Sequence, residues 1–137
     1  YFQIGAEDNR ADFGSFHWET QHIVAPGHYC IEPKALQVLR EDIVYGEGDF
    51  DRLVRSAEEA RFTLLRENAL KRNPKGFDKD APWSEYIRLR NFCLAYTPTT
   101  AEVTAPDFAD RLLESFTAVR PFIDYINRAI DFAREEL

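Results

Sequence analysis

The sequence contains no methionine, only two cysteines and three histidines, and no long apolar run. A membrane-spanning helix needs about 18 or more consecutive apolar residues, so a membrane span is excluded and we expect no membrane partner. The sequence has no charged segment followed by an apolar stretch, so the pattern of a signal peptide is not seen. Because a translated chain ordinarily starts with methionine, we expect this one to be a processed product or a fragment of a longer chain.

The two cysteines do not form a disulfide framework. Cys30 and Cys93 each lie among apolar neighbours, in Tyr29-Cys30-Ile31 and Phe92-Cys93-Leu94. Two isolated cysteines in a chain of this length favour two buried thiols in a reducing cytoplasm over a disulfide bond or a nucleophile. We therefore expect a cytoplasmic protein with unbonded cysteines.

The histidines give a weak indication of a metal site. His17 and Glu19 point to the same face if they lie on a strand, and His22 and His28 follow. A transition metal needs three or four converging ligands, and this spacing matches no established pattern. Histidines on the surface of a hairpin are the better interpretation, and we expect neither a metal nor another cofactor.

Familiar catalytic motifs are also missing. The sequence has no Gly-x-Ser-x-Gly, no Gly-x-Gly-x-x-Gly and no Walker pattern. Adjacent acids such as Glu58 and Glu59 diverge on a helix and so do not face one substrate together. No residue is assigned a catalytic role from the sequence, and whether the chain is an enzyme stays open.

The 137 residues fit a single domain, or the C-terminal portion of a longer one. A chain of this length can bury about two-thirds of its surface, which is enough for a core without metal or disulfide staples. Residues 1–4, 16–24 and 28–31 have the composition of short strands, and the polar residues 7–14 predict a turn. Residues 92–96 form an apolar run of strand length.

Helical periodicity begins at Pro33. Leu36, Leu39 and Ile43 fall at positions i, i+3 and i+7, which predicts an amphipathic helix over residues 33–44. A second helix follows with Asp49 as its cap, and a short one starts near residues 80–82. The last third predicts two helices, the first from Asp107 and the second from residue 121, where a proline interrupts the pattern. The expected fold is α+β, a small mainly antiparallel sheet with helices packed on one side.

The charge is unevenly distributed. Residues 61–90 carry eight bases and four acids, a net charge of +4, whereas the other 107 residues carry nine bases and twenty acids, a net charge of −11. Overall acidity excludes a general nucleic-acid binder, because phosphate contacts need a basic face. A small anion bound at the basic segment is compatible with the pattern, as is a solvated loop whose bases pair with the acidic remainder.

The best candidate site lies in this segment. Pro74 fixes φ and Gly76 permits a tight turn, so one rigid loop can present several cations. An extended conformation would put Arg88 and Arg90 on one face, and Tyr29 and Phe77 offer flat walls for a ligand. The candidate ligand-binding residues are Lys71, Arg72, Lys75, Phe77, Arg88, Arg90 and Tyr29. The alternative is that the loop serves folding alone, with Phe77 buried.

Residues 70–82, Leu-Lys-Arg-Asn-Pro-Lys-Gly-Phe-Asp-Lys-Asp-Ala-Pro, resemble a motif of the domain-of-unknown-function 2461 family. That family carries Leu-x-Arg-x-Pro-Lys-Gly-Tyr-x-x-Asp-His-Pro, followed by a Leu-Lys-x-Lys-x-Phe stretch whose place is taken here by residues 87–92. Weaker matches are residues 1–4, Gly27-His28-Tyr29 before Pro33, residues 106–108 and residues 121–127. The resemblance spans nearly the whole chain.

The resemblance implies an α+β fold, a mostly bacterial distribution and no established activity. The family domain is longer at its front, so the resemblance implies that this chain is the second half of that domain. Two departures matter. Ala81 stands where the family has histidine, so any role of that histidine is absent here, and the segment 16–25 is longer than the family pattern.

Three functions are compatible with these observations. The first is a module that binds a small anionic or phosphorylated ligand through residues 71–90. The second is an enzyme that acts on a phosphate- or carboxylate-bearing substrate, with catalytic groups partly outside this chain. The third is an interaction domain whose acidic surface meets a basic protein. Nothing in the sequence indicates an oligomeric state.

Overall fold

The computed structural model describes the backbone of residues 2–12 and 15–135 and the side chains of residues 22–135. The fold is α+β, as the sequence predicts. The strands are Phe2–Asp12 (β1), Ser15–Val24 (β2), Gly27–His28 (β3), Thr63–Leu64 (β4) and Phe92–Ala95 (β5). The helices are Pro33–Tyr45 (α1), Asp49–Glu59 (α2), Ser84–Ile87 (α3), Thr100–Thr104 (α4) and Phe108–Glu135 (α5).

Strands β1 and β2 form a long antiparallel hairpin in which Phe2 lies opposite Val24 and Asp12 lies opposite Ser15. The prediction of a turn over residues 7–14 is therefore wrong for residues 7–12, which continue β1. The polar composition of this segment misled the prediction, because a strand ladder is made by main-chain groups and not by side chains.

The second sheet has β5 in its centre, paired antiparallel with β3 on one side and β4 on the other. Reciprocal main-chain hydrogen bonds of 2.9 Å between Val24 and Tyr96 join the hairpin to this sheet. Strand β3 is shorter than predicted, because Cys30 has a φ of 54° and leaves the extended conformation. Cys30 is also exposed, so its predicted burial is wrong, whereas Cys93 on β5 is buried as predicted. Both cysteines are unbonded.

The core is built around Phe50 at the start of α2. Its ring lies 5.0 Å from that of Tyr86, 5.7 Å from that of Phe92 and 5.5 Å from those of Phe122 and Tyr125. Helices α1 and α2 both pack on α5, and α2 also contacts β4. The aromatic cluster therefore ties the helical layer to the central strand of the sheet.

Helix α5 runs through Pro121 without a break, so the predicted division into two helices is wrong. A proline inside a helix removes one main-chain hydrogen bond and costs about 3 kcal/mol. Val119, two positions before the proline, and Phe122, directly after it, are both buried in the core. Their burial outweighs the cost of the lost hydrogen bond. No helix within the described residues is long and apolar enough to cross a membrane.

Three local features refine the prediction. Gly48, with a φ of 91°, is the N-cap of α2, and Asp49 is its first residue instead of its cap. Helix α3 begins at Ser84, slightly after the predicted start. The polar connection before α5 contains α4, which a capping box between Thr99 and Glu102 stabilises.

Candidate functional site

The basic loop of residues 70–82 is held by Asn73. Its Nδ2 donates to the main-chain oxygen of Asp78 at 2.7 Å and to Oγ of Ser84 at 3.0 Å. Its Oδ1 accepts a hydrogen bond of 2.8 Å from Nε of Arg88. The main-chain nitrogen of Leu70 also donates to the oxygen of Arg88 at 2.8 Å. The loop and the segment after α3 are thereby joined into one unit.

The predicted tight turn is present at Gly76, which has a φ of 97°. The main-chain nitrogen of Phe77 donates to the oxygen of Pro74 at 3.2 Å and closes the turn. A Cβ at position 76 would lie 4.0 Å from Nε2 of Gln37, so the turn lies beside α1. The positive φ is the reason that this position favours glycine.

The three loop cations Lys71, Arg72 and Lys75 are exposed. Among residues 22–135, no carboxylate forms an ion pair with any of them. Other bases of the same segment are neutralised. Arg61 makes two hydrogen bonds, of 2.9 and 3.0 Å, to the carboxylate of Glu102, and Arg66 lies 3.6 Å from that of Glu85.

Arg88 and Arg90 do not share the face of a strand, as an extended conformation would require. Arg88 is the C-cap of α3, with a φ of −79° and a ψ of −11°, so the extended interpretation is wrong. The half-buried Arg88 turns toward Asn73, whereas Arg90 is exposed and acts electrostatically on Arg40. Helix capping in this segment, before β5 begins, accounts for the difference.

Arg40 on α1 is the residue that the sequence interpretation missed. Only 8% of it is exposed, and its Nη2 donates to the main-chain oxygen of Leu89 at 3.0 Å. Its Nε is buried and has no hydrogen-bond partner within the described part of the chain. No carboxylate of the described side chains pairs with it. Burial, followed by the charge of nearby Arg90, lowers the pKa of the Arg40 guanidinium from its ordinary value.

A sequence signal for Arg40 exists. The residue stands four positions after Leu36 and next to Leu39, so it falls inside the apolar stripe of α1. A charged residue inside such a stripe must be buried with a partner or reach solvent at its tip. Following that rule would have added Arg40 to the candidate residues.

The two predicted aromatic walls lie in different surroundings. Phe77 is half-buried and packs against the core, which is the folding role considered as the alternative. Tyr29 is 56% exposed and lines a pocket of about 160 Å³ with His28, Glu32 and Arg134. The ligand-binding role of both residues stays a prediction, as does that of the five cations.

His22 and His28 are the histidines whose side chains the structure describes, and each contacts another polar side chain. Nε2 of His28 lies 2.7 Å from Oδ1 of Asn127. The prediction of surface histidines is wrong for His22, which is buried and approaches the hydroxyl of Thr100 at 3.4 Å, while its Nδ1 has no partner among the described side chains. His17 and Glu19 lie outside the described side chains. Among the residues whose side chains are described, no three metal-binding groups converge.

The comparison with protein families identifies the family of this chain. The family model of the conserved hypothetical protein DUF2461 matches residues 2–125. The chain belongs to the DUF2461 family. The resemblance of residues 70–82 is thus confirmed over most of the sequence, and the family description names no activity. No curated protein and no solved structure matches this DUF2461 chain.

Proposed function

We propose that this DUF2461 protein binds a small anionic or phosphorylated ligand at a basic site. The site comprises the buried Arg40, the neighbouring Arg90, and the loop cations Lys71, Arg72 and Lys75. Arg88 holds the loop in place by its hydrogen bond to Asn73. The proposal keeps the five predicted cations, adds Arg40 from a helix, and leaves out the two predicted aromatic residues, Tyr29 and Phe77.

The observation that carries the proposal is the burial of Arg40 without a counterion. Removing a guanidinium from water costs several kcal/mol unless a charge or a set of hydrogen bonds replaces the solvent. The carbonyl of Leu89 satisfies one donor, and Nε remains unpaired. An anion near Arg40 and Arg90 would offset both the desolvation of Arg40 and the repulsion between the two cations.

The chemistry of the donors indicates the ligand class. Guanidinium groups bind carboxylate and phosphate through paired, charge-assisted hydrogen bonds. Several cations without carboxylate partners favour a ligand of more than one negative charge. Phosphate and phosphate monoesters fit this requirement better than a single carboxylate does.

The test is thermal and chemical unfolding with and without inorganic phosphate. At a phosphate concentration of about ten times Kd, wild-type protein should gain about 1.4 kcal/mol of stability. Arg40→Met should abolish this gain while keeping the side-chain volume. Arg120→Met on α5 is the matched control, because Arg120 is exposed and far along the chain from the site.

Two results would contradict the proposal. One is an unchanged midpoint of the wild type at every phosphate concentration. The other is an equal gain in the wild type and in Arg40→Met, since the binding site would then lie elsewhere. The enzymatic alternative keeps its own test, a screen of phosphate- and carboxylate-bearing substrates.

A further inference from the structure

A second polar site lies where the end of α1 and the α1–α2 turn meet α5. Its lining is mainly acidic, in contrast to that of the basic loop. Two adjoining hollows of about 530 and 640 Å³ form a groove there. Asp49, Tyr125 and Arg128 line both hollows. The first hollow also includes Asp42 and Phe132.

Tyr125 is the central residue of this groove. Only 9% of it is exposed, and its ring packs on Phe50 at a centroid distance of 5.5 Å. The guanidinium of Arg128 lies 5.5 Å from the centre of the same ring. Among residues 22–135, no group makes a hydrogen bond to the Tyr125 hydroxyl. The hydroxyl oxygen is not among the buried atoms that lack a partner, so this oxygen reaches the groove although the ring is buried.

Gly46 keeps space open at the hydroxyl. A Cβ at this position would lie 3.6 Å from the Tyr125 oxygen and 2.6 Å from the main-chain oxygen of Asp42. The φ of Gly46 is −83°, so the backbone conformation does not require glycine here. The close approach of the Asp42 carbonyl is what excludes a side chain at Gly46, and its absence leaves space beside the phenol.

Carboxylates line the same hollow as Tyr125. Three acids, Glu41, Asp42 and Asp49, against the single guanidinium of Arg128 leave the lining of the first hollow negative. Asp42 has no ion-pair partner among the described side chains. Burial, together with the charges of Asp42 and Asp49, raises the pKa of Tyr125 to about 12. The phenol is therefore neutral at physiological pH, and its oxygen can accept a hydrogen bond.

We infer that this groove binds an alkylammonium group. The charged nitrogen would donate to the phenol oxygen of Tyr125 and to the carboxylate of Asp42, while the alkyl stem would lie on the apolar side chains of Val38 and Phe132. Phe132 is 51% exposed and so is available for that contact. A divalent metal fits less well, since no three metal-binding groups converge among the described residues.

The same chemistry has two sources, a free aliphatic amine and the side chain of a lysine in a peptide. Amide chemical shifts of the full chain should be followed while n-butylammonium chloride or Nα-acetyl-lysine amide is added, up to about 50 mM, because ligands this small bind in the millimolar range. Shifts centred on residues 42–49 and 125–132 support the inference. Stronger binding of one probe identifies the source.

Substitutions distinguish binding in the groove from the general attraction of a cation to an acidic protein. Asp42→Asn removes a negative charge and Tyr125→Phe removes a hydrogen-bond acceptor, so each should weaken binding by about tenfold. Asp110→Asn is the matched control, because this exposed acid lies in the first turn of α5, outside the groove. Its affinity should equal that of the wild type.

Three results would overturn the inference. The first is an absence of shifts in the groove with both probes. The second is equal affinity of the wild type, Asp42→Asn and Tyr125→Phe, each shown to be folded by circular dichroism. The third is equal binding of butyrate, which carries the same alkyl stem without the ammonium group.

Discussion

Nη2 of Arg40 donates to the main-chain oxygen of Leu89 over 3.0 Å and so joins α1 to the segment after α3. The bond anchors the guanidinium without neutralising it. The buried charge remains, and Arg90 adds a second positive charge close by. This arrangement is the basis of the proposed anion site.

Removing the charge of Arg40 should therefore not harm the free protein. Replacing even a buried ion pair by apolar side chains of similar volume is often neutral or stabilising by about 1–4 kcal/mol, and the Arg40 guanidinium has no carboxylate partner to lose among the described side chains. We expect Arg40→Met to unfold in phosphate-free urea at a midpoint equal to or above that of the wild type. A loss of more than about 2 kcal/mol would mean that the bond to Leu89 matters more than the desolvation of the charge.

Gly76→Ala should lower stability through the backbone alone. The φ of 97° is unfavourable for alanine by about 1–2 kcal/mol. The added methyl has room, since its nearest neighbour outside the turn would be Nε2 of Gln37 at 4.0 Å. Gly46→Ala is a useful comparison, because its φ is negative and its Cβ clashes instead. Urea denaturation of both variants measures the two effects separately, and an unchanged midpoint for Gly76→Ala would contradict the argument.

The ion pair of Arg61 and Glu102 should make stability depend on pH in the acidic range. The hydrogen bonds from Arg61 lower the pKa of Glu102 from 4.5 to about 2. A lowered folded-state pKa means that the stabilisation is complete above the unfolded value and is lost as the pH falls toward 2. Glu102→Gln should therefore be less stable than the wild type at pH 7, and the difference should shrink between pH 5 and pH 2. Thermal melts across this range test it, and a constant difference would contradict it.

Pro121→Ala should stabilise the protein. Pro121 is exposed and lies inside α5, where it removes a main-chain donor without making a buried contact of its own. Alanine restores that donor, so we expect a gain of about 1–3 kcal/mol. Equilibrium unfolding in urea measures it. A decrease in stability would show that the helix is shaped around the proline.

Most of the fold is predictable from the sequence, since apolar periodicity sets which faces are buried. Leu39 and Ile43 on the predicted apolar face of the first helix are buried, because such a face has no alternative to the core. The continuity of α5 through Pro121 was not predictable, since it depends on packing from elements distant in sequence. Burial on both sides of the proline outweighs its local preference to end a helix.

The candidate site was only partly predictable, for a related reason. The loop and its turn at Gly76 follow from local residue chemistry, which the sequence shows directly. The approach of Arg40 to Leu89 and Arg90 depends on the packing of α1 on α3, which local patterns do not reveal. The exposure of Cys30 likewise depends on a single left-handed residue that apolar neighbours do not predict.

The unequal accessibility of the two cysteines has a practical consequence. Cys30 is open to reagents, whereas Cys93 lies in the middle strand of the sheet and its burial raises the pKa of its thiol. Brief alkylation of the native chain therefore labels a single position without any substitution, because Cys30 is exposed and the Cys93 thiol is buried. The slower alkylation rate of Cys93 then measures how often β5 opens to the reagent.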